Sequence, residues 1–365
     1  MSKKSSDSRI AVAILGATGM VGQRMVRLLA DHPWFRIAAL AASDRSAGQR
    51  YMDAVDWRQE VRIPESVREM EVRRCEPMAG ISLALSALDA SVAGAIETDF
   101  ARAGVLVVSN ARSHRMAGDV PLLIPEINPG HLQLLDVQDV PEGAGIITNP
   151  NCSTIGLAMV LGPLHRTFGV EGVQVVTLQA LSGAGLPGVP ALAIQDNVIP
   201  LIPGEEEKLE QEPLKILGVL QEKGGIQPAR IPISAQCTRV PVTDGHLEMV
   251  SLRLTGRPSP DEVARVLADF RGLPQELGLP SAPRAPIHVL DAPDAPQPRL
   301  HRMRGEGMAV SVGRIRPCPV LGTRMAVLSH NTLRGAAGGA ILCAELAIAE
   351  ERIPGVRPPV PTDDR

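Results

Sequence analysis

One cysteine stands at a chemically suggestive point of the chain, within "GIITNPNCSTIGLAMVL", residues 145 to 161. Ile146, Ile147 and Thr148 read as a strand end and Asn149-Pro150-Asn151 as a turn. From Ser153 onward, Ile155, Leu157, Ala158 and Leu161 read as a helix with a buried face. Cys152 therefore falls at a helix N-terminus, where the thiol pKa of about 8.5 drops to roughly 3.5–7.5 and the nucleophilic thiolate becomes available. A buried cysteine also serves as a small hydrophobe, and position alone does not separate the two readings. A second cluster, "CTRVPVTDGH", shifts the balance. Arg239 and His246 lie around a proline, so that one strand-like segment would present both to a pocket. A histidine beside a thiolate supplies a general acid/base, and an arginine suits bidentate binding of a carboxylate. Without the cysteine such a pair reads as structural.

A second kind of chemistry is written near the start. Gly16, Gly19 and Gly22 follow the apolar run "IAVAIL" directly and precede a helical stretch from Gln23 to Ala30. The G-x-x-G-x-x-G spacing is a variant of the dinucleotide fingerprint, in which backbone amides and the positive helix end meet a pyrophosphate. Tight turns between strand and helix also need glycines, so the order of strand, loop, helix and second strand carries the functional reading. At the tip of the second strand stands "AASDRSAG", where an NAD site usually carries an acid for the ribose hydroxyls. Ser43, Arg45 and Ser46 suit a 2'-phosphate, with Asp44 turned away beside a charge-neutralising arginine; this favours NADP. An ordinary polar loop is the bland alternative.

These groups need a frame to hold them. "IAVAIL", "FRIAALAAS", "ISLALSAL" and "VLVVSNA" are short apolar strands with helices between them, "SVAGAIETDFARAG" among them, over about 150 residues. That alternation predicts a doubly wound parallel sheet, an α/β dinucleotide-binding domain. After Cys152 the strands lengthen and alternate: "VEGVQVVTLQALSG", "HLEMVSLRLTG", "GMAVSVGRIR" and "TRMAVLSHN". They predict an α+β domain on a mostly antiparallel sheet. "SPDEVARVLADFRG" is one of its helices, with Ser259 as N-cap and Pro260 in first position. The proline-rich stretch from Ala282 to Pro298 reads as a loop, "RGAAGGAILCAELAIAE" as a last small-residue helix, and "GVRPPVPTDDR" as a loose tail.

Composition excludes several classes. A chain of 365 residues has room for two domains, and 44% hydrophobic content supplies their cores. A net charge of -3 and 2% aromatic residues speak against nucleic-acid binding. Five cysteines without CxxC pairing point to a reduced, cytoplasmic protein with no metal site. "MSKKSSDSR" has the charge of a signal peptide, but the apolar run after it is too short for one. No apolar stretch approaches the roughly 20 residues that span a bilayer, so a soluble protein is expected.

Taken in order, Gly16-Ala17-Thr18-Gly19-Met20-Val21-Gly22, "NPNCST", "LQALSGAG", "GEEEK", "CTRVPVTDGH" and "NTLRGAAGGA" resemble the aspartate-β-semialdehyde dehydrogenases across nearly the whole chain. The "GEEEK" insertion and the "SDRSAG" loop are similar to the archaeal and fungal branch. The resemblance implies reduction of β-aspartyl phosphate to aspartate semialdehyde, a step shared by lysine, threonine and methionine synthesis. It implies Cys152 as nucleophile, His246 as acid/base, Gln179 as substrate-orienting residue and Arg239 on the substrate α-carboxylate. Glu205 would take the amino group and Lys208 the phosphate or carboxylate side. Spacing to Lys208 favours Glu205 over Glu206 and Glu207, although a solvated acidic helix start is the plain reading of the segment. Asn110 and Arg115 would bind phosphate, with Arg112 able to substitute. Thr18, Met20 and Val21 would join the glycines at NADP, and Ser182, Gly183 and Asn331 would lie near the nicotinamide.

The family frame implies a discontinuous NADP-binding domain, residues 1–150 plus 330–365, and a catalytic and dimerisation domain, residues 151–329. It implies a homodimer or homotetramer whose partner molecules are otherwise small substrates. Malonyl-CoA reductase, on the same framework, is the alternative; it needs no recognition of an α-amino group, so the set Glu205, Lys208 and Arg239 speaks against it. N-acetyl-glutamyl-phosphate reductase resembles these motifs less. A catalytically silent nucleotide-binding regulator would have no use for Cys152, His246, Gln179 and Arg239 together.

Overall fold

The computed structural model describes residues 8–359. The charged start around Lys3 and Lys4 and the end of the proline-rich tail lie outside the described residues. The first sheet holds β1 (Ile10–Leu15), β2 (Phe35–Ala42), β3 (Val72–Arg74), β4 (Leu83–Ser86), β5 (Leu106–Ser109) and β6 (Gly145–Thr148), in spatial order β3-β2-β1-β4-β5-β6 and parallel throughout. Order reverses at β1, and ligands bind α/β sheets at such a switch point beyond the carboxyl ends of the strands. β4, β5 and β6 are buried along their full length, as strands covered on both faces must be.

Helix α1 (Met20–Leu29) begins earlier than the expected Gln23, because the glycine loop closes within four residues and Gly19 is its N-cap. Neither an acid nor a side-chain cap marks that start in the sequence. Helix α2 (Ala90–Arg102) is capped by Asp89, whose carboxylate accepts from Ser91 N. It covers one face of the sheet through Phe100 and Ala101.

Helix α3 (Cys152–Thr167) leaves β6 and enters the second half. There β7 (Val170–Gln179), β10 (Ile233–Arg239), β11 (His246–Leu254), β12 (Ile287–Leu290), β13 (Val310–Cys318) and β14 (Gly322–Ser329) form one sheet in the order β10-β7-β11-β14-β13-β12. β8 (Val219–Leu220) and β9 (Ile226–Gln227) form a small hairpin apart from it. The central pairs β7–β11, β11–β14 and β14–β13 are antiparallel, whereas the outer pairs β10–β7 and β12–β13 are parallel. β12 lies inside the proline-rich stretch expected to be a loop. Its four residues "IHVL" are flanked by prolines that bound the strand without entering it.

Apolar on all sides, α3 is the central rod of the second core. It packs with α4 (Glu205–Ile216) and α5 (Pro260–Asp269) on one face of this sheet. Ser259 caps α5 in a full capping box with Glu262, as the sequence suggests. The last helix, α6 (Gly338–Ala349), returns to the first sheet. Its Ile341, Leu342 and Leu346 join Ile14, Met25 and Leu85 in one core. A π-turn at Leu333–Ala337 leads into it, anchored by a wholly buried bidentate pair between Arg334 and Glu126, at 2.7 and 2.6 Å.

Candidate active site

Three strand ends set the site. Arg239 closes β10, Gln179 closes β7 and His246 opens β11; Arg239 pairs with Gln179, and Leu247 pairs with Leu178. The expectation of one strand-like segment carrying both Arg239 and His246 is corrected. Pro241 breaks the ladder, the chain turns, and β7 lies between the two. Arg239 and His246 still reach one pocket because they flank Gln179 on the buried face of the sheet.

Cys152 arrives from above as the first residue of α3. Its Sγ lies 3.3 Å from His246 Nε2. The other ring nitrogen, Nδ1, accepts a hydrogen bond from the Ala180 backbone N–H at 3.0 Å. A neutral ring thus carries its proton on Nε2, aimed at sulfur. Burial, with Arg239 and His330 nearby, pushes the imidazole down to about 3. The base half of the expected acid/base role is not available in this arrangement: His246 is a neutral donor.

The thiol also departs from expectation. Burial and the Glu205 carboxylate push Cys152 up to about 12, against the pull of Arg115, Lys208 and Arg239. The helix end is already capped, since Asn151 Oδ1 accepts from Ser153 N at 3.0 Å and Thr154 N at 3.4 Å. Those amides are therefore not free to stabilise a thiolate.

Around the sulfur stand the expected polar groups. Arg239 donates through Nη1 to Ala180 O at 2.6 Å, which anchors one arm of the fork. Glu205 is buried and accepts from Lys208 Nζ at 2.5 Å, Asn151 Nδ2 at 2.9 Å and Gln179 Nε2 at 3.3 Å. Burial raises its carboxyl, but the Lys208 ammonium and these hydrogen bonds outweigh it and hold the group below its usual value. Glu206 instead accepts from Cys237 N, and Glu207 is exposed. Of the three adjacent acids, Glu205, which the spacing to Lys208 favours, is the one that pairs with Lys208.

Arg115 is buried, while Arg112 is exposed. Arg115 donates to Asn110 O at 2.7 Å, and Asn110 Oδ1 accepts from Asn149 Nδ2 at 2.9 Å. Asn331 joins two pieces of the site: it accepts from Gly245 N and donates to Ser182 Oγ, both at 2.8 Å. Gly183 keeps the pocket open, because a Cβ there would lie 2.8 Å from Arg239 Nη1 and 3.1 Å from His246 Cε1. Gly335 lets the π-turn back onto Cys152, whose Cβ would lie 2.8 Å from a Cβ at that position. Two residues along β11 from His246, Glu248 is wholly buried, and neither carboxyl oxygen has a hydrogen-bond partner among the described residues. Burial raises its pKa well above the ordinary carboxyl value, favouring the protonated form.

The glycine loop after β1 suits a dinucleotide. Gly16 has φ +79°, and a Cβ there would meet Ala87 O at 2.6 Å. One at Gly22 would meet Gly16 O at 2.2 Å, so this backbone cradle tolerates no side chain at either position. A cleft of about 550 Å³ opens beside it, lined among others by Gly16, Thr18, Gly19, Ser43, Asp44 and Arg74. Met20 and Val21 sit in the first turn of α1. Arg45 and Ser46 stand outside the lining of that cleft. The arginine beside Asp44 is Arg74, 3.4 Å away on β3, not the neighbouring Arg45. Sequence reasoning also missed Asn151, Glu212 and Lys215. The acidic run of α4 hides Glu212, and only its seven-residue spacing from Glu205, two helical turns, hints that they share a face.

Comparison with known proteins agrees with this geometry. Residues 11–135 match the family model described as semialdehyde dehydrogenase, NAD binding domain, and residues 161–334 that described as semialdehyde dehydrogenase, dimerisation domain. The aspartate-semialdehyde dehydrogenase of Archaeoglobus fulgidus is 48% identical over 348 residues, 94% of this chain and 100% of the relative. That of Saccharomyces cerevisiae is 48% identical over 357 residues, covering 93% and 98%. The crystal structure of aspartate semialdehyde dehydrogenase with NADP from Candida albicans superposes with a TM-score of 0.88 at 45% identity, covering 95% of this chain and 100% of that one. The resemblance to archaeal and fungal proteins is thus borne out over the full length of these relatives, and the chain belongs to the aspartate-semialdehyde dehydrogenase family.

Proposed function

We propose that the chain is an NADP-dependent aspartate-semialdehyde dehydrogenase, reversibly converting β-aspartyl phosphate to aspartate semialdehyde and phosphate in amino-acid biosynthesis. The observation that carries this is Cys152 Sγ facing His246 Nε2 at 3.3 Å inside the ring of Gln179, Arg239, Glu205 and Lys208. NADPH, when bound, supplies the hydride. Gly16, Gly19 and Gly22 hold its pyrophosphate, Ser43 and Arg74 its 2'-phosphate, and Ser182, Gly183 and Asn331 stand beside its nicotinamide.

Arg239 grips the substrate α-carboxylate with the arm not spent on Ala180, Glu205 takes the α-amino group, and Lys208 neutralises the charge between. Arg115 and Asn110 hold the phosphate. Cys152 attacks the acyl carbon, the C–O bond to phosphate breaks, and the sulfur proton leaves with the departing phosphate as hydrogen phosphate. His246 Nε2–H donates to the sulfur as it sheds that proton. It is then available to the oxygen that gains charge while the thioacyl carbon is reduced, a neutral imidazole acting as electrophile. Collapse of the thiohemiacetal breaks the C–S bond and frees the aldehyde, and a proton taken up from solvent restores the thiol.

We assign residues 1–150 with 330–365 to nucleotide binding and 151–329 to catalysis and dimerisation. The assembly we propose is a homodimer or homotetramer built on the outer face of the second sheet, which carries Val176, Leu178, Leu247 and Met249. The five cysteines are free and no helix among the described residues is long and apolar enough to cross a membrane, which supports work in the cytoplasm. The malonyl-CoA alternative is not favoured, since Glu205, Lys208 and Arg239 stand together where an amino acid needs them. An NADP assay with aspartate semialdehyde and phosphate, run beside NADPH with malonyl-CoA, tests the reading. Turnover of malonyl-CoA alone would overturn it.

A further inference from the structure

Glu212 lies on α4 two turns after Glu205 and is 3% exposed. Its two oxygens serve different masters. Oε1 accepts from Arg115 Nη1 at 2.9 Å, and Oε2 accepts from the backbone N–H of Asn151 at 2.7 Å. Arg115 belongs to the loop after β5, whereas Asn151 is the N-cap of the nucleophile's helix. One carboxylate therefore spans from the guanidinium of the phosphate subsite to the residue before Cys152. The same helix fixes both neighbours again. Glu205 takes the Asn151 side chain, and Lys215 donates to the carbonyls of Arg115, Ala117 and Val120 at 2.7, 2.6 and 2.7 Å.

A carboxylate is an unfavourable neighbour for a phosphate dianion. If Arg115 needed only to attract phosphate, an acid paired to it would be counterproductive. It is explicable where the arginine must be held at a set distance and release phosphate on every turnover. A charge-assisted pair orients the guanidinium plane, leaves its remaining donors for the ligand, and lowers its net pull. The second oxygen ties that geometry to Cys152, so that acyl carbon and leaving group are positioned from one point.

We propose that Glu212 is the positioning residue of the phosphate subsite, setting Arg115 against Cys152 and tempering its charge. This rests on the phosphate role given to Arg115 above. The test is a double-mutant cycle of Arg115→Ala and Glu212→Gln on the full-length enzyme, with phosphate and aspartate semialdehyde varied separately. A glutamine keeps the shape but offers one acceptor for two donors. Glu212→Gln should lower kcat/KM for phosphate by about tenfold or more while KM for aspartate semialdehyde stays within about twofold. In the Arg115→Ala background the phosphate effect of Glu212→Gln should largely vanish. Glu212→Asp, which keeps the charge on a shorter arm, should recover part of the phosphate kinetics, and it carries the test if the glutamine variant fails to fold. Equal losses for both substrates, or full additivity with Arg115→Ala, would overturn the proposal. Unchanged phosphate kinetics in Arg115→Ala alone would instead remove the reading of Arg115.

Discussion

Arg239 and His246 stand on strands that do not touch, and Gln179 at the end of β7 holds the place between them. On the proposed roles, substrate recognition and chemistry would come from different strands in one register. If Arg239 clamps the α-carboxylate, Arg239→Lys should be costly although it conserves charge, because lysine lacks the planar fork. A loss of about ten- to hundredfold in kcat/KM is expected, including a fall in kcat as the acyl group misses the sulfur. Unchanged aspartate-semialdehyde kinetics would bring CoA-thioester substrates forward again.

Cys152→Ala should lose turnover by several orders of magnitude while NADPH binding, measured by fluorescence, stays near that of the parent. With burial pushing the thiol up to about 12, alkylation of Cys152 should climb about tenfold per pH unit from pH 7 to 9. A plateau in that range would mean a thiolate already formed at rest.

Cofactor choice should depend on Arg74 more than on Arg45. If this corner takes the 2'-phosphate, removing Arg74 takes away a cation beside it and leaves the Asp44 carboxylate without its partner. Arg74→Ala is expected to raise KM for NADPH about ten- to hundredfold, with a much smaller change for NADH. Arg45→Ala should do less. Equal losses for both cofactors would reduce this corner to a matter of shape.

Glu248 makes a prediction about stability. Its folded pKa is raised, so between the unfolded value and the folded one the native state binds a proton that the unfolded chain has released, and stability falls as pH rises. The slope is about 1.4 kcal/mol per pH unit within that window. Glu248→Gln removes this loss: it should leave Tm unchanged at acid pH and raise it increasingly as pH climbs above the ordinary carboxyl value. A destabilisation of equal size across that range would show that the carboxyl has a partner the glutamine cannot replace.

Much of the fold was legible because each sign is local. Apolar strands of four to six residues, glycines after β1 and the Ser259 capping box all act within a few residues of themselves. Cys152, Gln179, His246 and Arg239 were legible as types in motifs. Arg74, Glu212 and Lys215 were not, since a charged residue buried by a distant partner looks in sequence like one facing water. Arg74 meets Asp44 across strands thirty residues apart, and Glu212 meets Arg115 across 97. The state of the thiol was misjudged for a related reason. Helix position is local, but the burial and the Glu205 charge that outweigh it come from elsewhere in the chain.

Gly335 presses the π-turn against the back of Cys152, and the helix after it completes the core of the first sheet. The ribosome delivers this segment after every strand of both sheets. Until then the growing chain has all the strands of the first sheet but not the helix that completes its core, and Cys152 lacks the turn that backs it. The order of synthesis thus leaves Cys152 without its backing until both sheets have been made. A chain stopped after Ser329 should neither retain NADPH nor turn over, even with every residue that faces the substrate present.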